Sequence, residues 1–167
     1  YFDHAATSFP KPPEVLAAAT EFMNLAGVNP GRGSYALARQ AEEMVERTRR
    51  AMARFVKAPS VQRVVFGLNC TDALNMALHG VLQTGDRVLL SRLVHNSLRR
   101  PLMQMAERGD IDLVWVDPLP SGLLDLEQWK TLLQEAPVRL VACNHVSNVL
   151  GTIQPIAELA QLAHEHG

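Results

Sequence analysis

From residue 36 to about 57, apolar and polar positions follow a helical rhythm. Leu37, Ala41, Met44, Val45, Thr48, Met52 and Phe55 recur at three and four, with charged residues between them. That spacing predicts one long helix with a single buried face. A shorter helix precedes it, opened by Pro13, running to about Ala26 and stopped by Gly27, since proline suits a first helical turn and glycine a helix end. Residues 1–13 read as an extended arm whose geometry Pro10, Pro12 and Pro13 fix. Between the helices, Asn29-Pro30-Gly31-Arg32-Gly33 disfavours both helix and strand and is a loop.

Beyond residue 57 the rhythm changes. Apolar, β-branched runs at 63–66, 87–90, 113–116 and 139–142 alternate with helical stretches near 71–83, 97–108 and 125–134. Strand-helix-strand alternation predicts an α/β fold, a three-layer arrangement with a mostly parallel sheet flanked by helices. Ligands of such sheets bind outside the carboxyl ends of the strands. Three short polar signals fall at those places: Cys70-Thr71-Asp72, His95-Asn96-Ser97 and Asn144-His145-Val146-Ser147-Asn148.

Composition narrows the function classes. Apolar residues make up 47% and charged residues 20% of the 167, as in an ordinary globular domain. With 16 basic and 17 acidic residues the chain has no excess positive field for nucleic acid or an anionic membrane, and the Arg49-Arg50 and Arg99-Arg100 pairs read as solvated helix faces. No apolar run is long enough to span a membrane and no signal peptide is visible, so the cytoplasm is expected. Cys70 and Cys143 have neither disulfide-framework nor zinc spacing. His164 and His166 point apart on a helix, so no metal site is expected. The chain opens on Tyr1 and closes at Gly167 directly after an amphipathic helix, where an α/β protein begins its next strand; both ends are expected to be cut.

Each polar signal has a chemical and a plain reading. Around Cys70, Thr71 and Asp72, the unpaired amides of a helix start and the Thr71 hydroxyl suit a phosphate, while Asn69 or Thr71 could simply cap the helix. The imidazole of His95 could lie against a cofactor ring or exchange protons with a substrate; alternatively Asn96 or Ser97 caps the helix that follows. Asn148 could bond a ring hydroxyl, or bond backbone in a turn where Gly151 supplies a positive φ. No GxGxxG or GxxxxGK[ST] cradle is present.

Four stretches, Tyr1-Phe2-Asp3-His4-Ala5-Ala6-Thr7-Ser8, Pro30-Gly31-Arg32-Gly33-Ser34-Tyr35, Asn69-Cys70-Thr71-Asp72-Ala73-Leu74-Asn75 and His145-Val146-Ser147-Asn148-Val149-Leu150-Gly151-Thr152, give the chain a resemblance over its whole length. It resembles the class V aminotransferase family of pyridoxal-phosphate enzymes and, within it, the cysteine desulfurase and selenocysteine lyase group. The resemblance implies the amino-terminal part of a fold type I large domain, with residues 1–26 as an arm and helix and 27–167 as the first part of the cofactor-binding domain. It implies that Cys70, Thr71 and Asp72 cradle the phosphate of pyridoxal 5′-phosphate, that His95 stacks on its ring as the catalytic histidine, and that Asn148 lies near the ring hydroxyl. Ala5, Ala6 and Arg32 fall near the amino-acid substrate, although Gly31 stands where many desulfurases have histidine. The implied enzyme is a homodimer that removes sulfur or selenium from cysteine or selenocysteine, leaves alanine, and passes the sulfur to an acceptor protein. Other class V aminotransferases or lyases, or a non-catalytic module binding a phosphorylated ligand, share these features. The family's cofactor-bearing lysine, its aspartate on the pyridine nitrogen, its substrate-carboxylate arginine and its nucleophilic cysteine are expected beyond Gly167. Lys11, Lys57 and Lys130 stand at no strand end, so the chain alone is expected to be inactive.

Overall fold

The structure, a computed structural model, describes residues 1–167. Two compact units divide them, Tyr1–Phe66 and Gly67–Gly167.

In the first unit the arm is not extended as expected. The Tyr1 hydroxyl donates to the carbonyl oxygens of Asp3 (3.0 Å) and Thr7 (2.9 Å), and its ring meets His4 and Phe9 edge-on, so the arm curls on itself. Helix α1 (Pro13–Leu25) starts on its proline, and Ala26 closes it by donating to the Phe22 carbonyl. Gly27 follows because a Cβ there would meet the Met23 carbonyl oxygen at 2.9 Å. Helix α2 (Ala36–Phe55) has the expected length, but its buried residues are Ala38, Ala41 and Ala53, of which only Ala41 belongs to the expected face. Leu37, Met52 and Phe55 stay exposed, contrary to the single buried face read from the spacing. Ala41, Met44, Val45 and Thr48 line an apolar groove of about 460 Å³ together with Phe22 and Phe66.

The strand expected at 63–66 does not form. Val61–Arg63 is a single 3-10 turn, closed by Val64 N–H donating to the Val61 carbonyl. Arg49 takes up the Val64 carbonyl and its guanidinium lies 4.9 Å from the Phe66 ring centroid. A strand exists only by pairing with a neighbour, and the groups that would pair are spent locally.

The second unit holds α3 (Cys70–Val81), β1 (Asp86–Ser91), α4 (Asn96–Glu107), β2 (Ile111–Val116), α5 (Leu126–Glu135), β3 (Leu140–Ala142) and α6 (Ile156–Glu165). Its sheet has the order β2-β1-β3, all parallel, with Val88 opposite Leu113 on one side and Leu140 on the other. Alternation sorts the side chains onto two faces. Val88 and Leu90 of β1 pack with Leu78 of α3 and Leu102 and Met105 of α4. Leu89, between them in sequence, packs on the opposite face with Trp129 and Leu133 of α5 and Leu159 of α6. Helix pairs thus cover both faces, which gives the three layers expected. Behind the strand ends, buried Gln154 staples two loops: its Oε1 accepts from Leu124 N–H at 2.9 Å and its Nε2 donates to the Gly122 carbonyl at 2.8 Å.

Candidate functional site

The turn into α3 is built by reciprocal side-chain bonds. Asn69 is the cap, its Oδ1 accepting from Asp72 N–H at 2.9 Å, and Asp72 Oδ2 accepts in turn from Leu68 N–H at 3.1 Å. This is the logic of a capping box. It sends the Asp72 carboxylate back onto the loop, which is where the structure places this expected cofactor residue. Gly67 suits the turn because a Cβ there would come within 3.1 Å of that carboxylate. The amide N–H groups of Cys70 and Thr71 and the Thr71 hydroxyl donate to nothing within the chain. Three free donors at a helix start form an anion-binding set, reinforced by the helix dipole.

His95 is placed by the end of β1. Buried Ser91 accepts from Leu93 N–H through its Oγ and from Val94 N–H through its carbonyl, and Asn144, just past β3, donates from Nδ2 to the Leu93 carbonyl at 3.0 Å. The helix cap expected at Asn96 or Ser97 is His95 itself: its Nδ1 accepts from Ser97 N–H at 3.1 Å and lies 2.8 Å from Ser97 Oγ. A ring nitrogen that accepts an amide proton carries none of its own, so the neutral ring bears its proton on Nε2.

Thr71 and His95 line one open cavity of about 690 Å³, together with the polar side chains of Asn75, Asn96, Ser97 and Arg100, the apolar Pro101 and Met103 and, further along α4, Gln104 and Glu107. The sequence reading missed Asn75 and Arg100. Asn75 stands four residues after Thr71 and its Nδ2 donates to the Thr71 carbonyl at 2.9 Å, so helical spacing from Thr71 was the available signal. Arg100, expected on a solvated helix face with Arg99, lines the cavity instead.

The remaining expected residues lie elsewhere. Cys70 is exposed at the first position of α3. Asn148 sits in an exposed turn after β3, off the cavity wall. The turn bonds expected of Asn148 belong to buried Ser147, whose Oγ accepts from Val149 N–H (3.3 Å) and Leu150 N–H (3.0 Å), while Gly151 has the expected positive φ of 74°. Ala5, Ala6 and Arg32 are exposed residues of the Tyr1–Phe66 unit. No three His, Cys, Asp or Glu side chains converge, and His166 Nδ1 pairs with the Leu162 carbonyl.

Cys143 is half-buried beside β3, and desolvation raises its thiol pKa. Less thiolate is then present at any given pH, so Cys143 is expected to alkylate with iodoacetamide at pH 8 about tenfold or more slower than exposed Cys70. Peptide mapping of a time course checks this; equal rates would contradict it.

Comparison with known proteins places these features in context. The profile of the aminotransferase class-V family matches residues 1–167. The cysteine desulfurase of Escherichia coli (strain K12 / DH10B) is 34% identical over 171 aligned residues, which cover 100% of this chain and 42% of that protein. Among solved structures, the apo cysteine desulfurase of Thermococcus onnurineus NA1 aligns with a TM-score of 0.90 at 30% identity, over 100% of this chain and 42% of that one. The Escherichia coli cysteine desulfurase CsdA aligns at 0.79 and 27% identity, over 99% and 42% of the two chains. The chain thus spans 42% of the length of the curated relatives it matches. These likenesses bear out the expected architecture, the amino-terminal part of a fold type I large domain.

Proposed function

This chain belongs to the aminotransferase class-V family, and on that footing we propose that it is the amino-terminal part of a pyridoxal 5′-phosphate-dependent cysteine desulfurase, which takes sulfur from L-cysteine, or selenium from L-selenocysteine, and leaves L-alanine. The observation that carries the reading is the meeting of Thr71 and His95 in one cavity at the starts of α3 and α4. The donor set there fits the cofactor: unspent amides and a hydroxyl for a phosphate, and an imidazole for an aromatic ring.

When bound, pyridoxal phosphate supplies an electron sink that supports carbon–sulfur cleavage. The residues of this chain bind and orient. The Thr71 hydroxyl and the amides of Cys70 and Thr71 would hold the phosphate at the positive end of α3. Asn69 and Asp72 keep that turn closed, so the donors need no rearrangement to receive the anion. With Nδ1 engaged by Ser97, Nε2 is the atom at which His95 holds or hands over a proton. The Asn148 side chain makes no hydrogen bond within the chain, and we assign it to the ring hydroxyl. Ala5, Ala6 and Arg32 are assigned to the amino-acid substrate, Arg32 having its guanidinium free of any ion pair. We further assign the complete enzyme a homodimeric assembly, a sulfur-acceptor protein as partner and a cytoplasmic setting. No helix of the chain is long and apolar enough to cross a membrane.

The test uses the purified complete protein with L-cysteine and a thiol acceptor. L-Alanine and persulfide are expected in equal amounts, since one cysteine and one acceptor thiol yield one of each. A protein that leaves L-cysteine and L-selenocysteine untouched while converting another amino acid would replace desulfuration by another class-V reaction.

A further inference from the structure

Arg100 is the one arginine or lysine on the wall of the Thr71–His95 cavity. It takes part in none of the ion pairs of the chain. Its neighbours are engaged differently. Arg99 lies over the Trp115 ring at 5.7 Å, and Arg92 lies over the same ring at 5.1 Å while pairing with Asp117 at 2.6 Å. The two arginines of the sequence pair thus separate: consecutive helical residues diverge by about 100° around the axis, so one reaches the sheet edge and the other the cavity.

Helix α4 has two sides. Leu98, Leu102 and Met105 face the core, and the opposite side, Asn96, Arg100, Gln104 and Glu107, lines the cavity at spacings of four, four and three. Along that stripe the charge is polarised. Arg100 stands near the helix start, where the dipoles of α3 and α4 are positive. Glu107 stands seven residues on, about 10 Å further down the axis, where the α4 dipole is negative. An anion entering the cavity is therefore drawn to the end that holds Thr71, His95 and Arg100. The amides and hydroxyl at Thr71 are neutral donors, whereas a guanidinium on the same cavity wall supplies countercharge and a forked pair of donors to a phosphate dianion.

We propose that Arg100 binds the phosphate group of pyridoxal 5′-phosphate, adding a charged donor to the neutral ones of the Thr71 turn. This rests on the cofactor reading given above. The experiment titrates the complete protein, stripped of cofactor, with pyridoxal 5′-phosphate and, separately, with pyridoxal, which lacks the phosphate. Arg100→Gln is expected to raise the Kd for pyridoxal 5′-phosphate by about 10- to 100-fold, the range for loss of a charge-assisted hydrogen bond, and to change that for pyridoxal by less than about twofold, since only the phosphate term is removed. Arg100→Lys recovers part of the loss, and Arg99→Gln, which alters charge beside the cavity but not on its wall, binds both as wild type does. Circular dichroism establishes that each variant is folded. The proposal is overturned if Arg100→Gln leaves the pyridoxal 5′-phosphate Kd unchanged, if it weakens both ligands equally, or if it instead raises only the KM for L-cysteine, which would move the guanidinium to the substrate carboxylate. A wild-type protein that binds neither compound would overturn the cofactor reading itself, a result distinct from any of these.

Discussion

Replacing His95 by alanine in the complete enzyme is expected to lower turnover by about 10²- to 10⁴-fold, the usual contribution of a positioned proton-transfer group, and to cost about 1 kcal/mol of stability for the lost helix cap. Both effects follow from one ring. Nδ1 accepts the Ser97 amide proton and starts α4, which leaves Nε2 for chemistry at the cavity wall. His95→Asn separates the two roles, because asparagine is among the best caps yet has no imidazole. With His95→Asn the melting temperature is expected to return close to wild type while turnover stays low. If asparagine restored both, the ring would be a cap and nothing more.

The second large effect is on folding. Trp129 of α5 is fully buried against Leu89 and Val116 of the sheet and Leu159 of α6. Trp129→Ala is expected to destabilise by about 3–5 kcal/mol, the range for deleting a buried aromatic side chain and leaving its cavity. Against a total stability of about 5–15 kcal/mol that removes from about a fifth of it to all of it. The indole N–H is buried without a hydrogen-bond partner, so Trp129→Phe removes an unsatisfied donor along with some volume. Its expected cost is smaller, about 1–2 kcal/mol, because relief of the orphaned donor offsets part of the lost packing. Far-UV circular dichroism in a urea series reads both; a phenylalanine variant as unstable as the alanine one would contradict this account of the site.

The sheet was legible in the sequence because its information is local. In β1, the alternation of Val88, Leu89 and Leu90 assigns two faces, and the helices that cover those faces carry their own three-and-four spacing. The segment at 63–66 carries the same apolar signal as β1, yet it stays outside any sheet. Pattern records which residues can line a strand, whereas a strand also needs a partner, and Arg49 from α2 has taken the Val64 carbonyl. The α2 stripe shows the complementary limit: periodicity predicts the helix, but of the face it marks only Ala41 is buried, while Ala38 and Ala53 beside it are covered instead. At the site, residue type and position brought out Thr71 and His95. Of the side chains that hold them, Asn69 is one of the two caps expected for α3, whereas α4 is capped by His95 rather than Asn96 or Ser97; all of these have capping chemistry and only geometry shows which acts. Arg100 was hidden by its neighbour, because charge counting treats adjacent arginines as one feature and a helix does not.

The central claim is that the turn at Thr71 and the histidine at His95 form a pyridoxal-phosphate site. Its most direct test is a spectrophotometric titration of the complete protein with pyridoxal 5′-phosphate, wild type beside Thr71→Val, which keeps the shape of the side chain and removes its hydroxyl. The account predicts a saturable visible band in the wild type and a Kd raised by about tenfold in the variant, as one hydrogen bond to a charged group is lost. A variant that titrates like the wild type, or a wild type that develops no band, would contradict it.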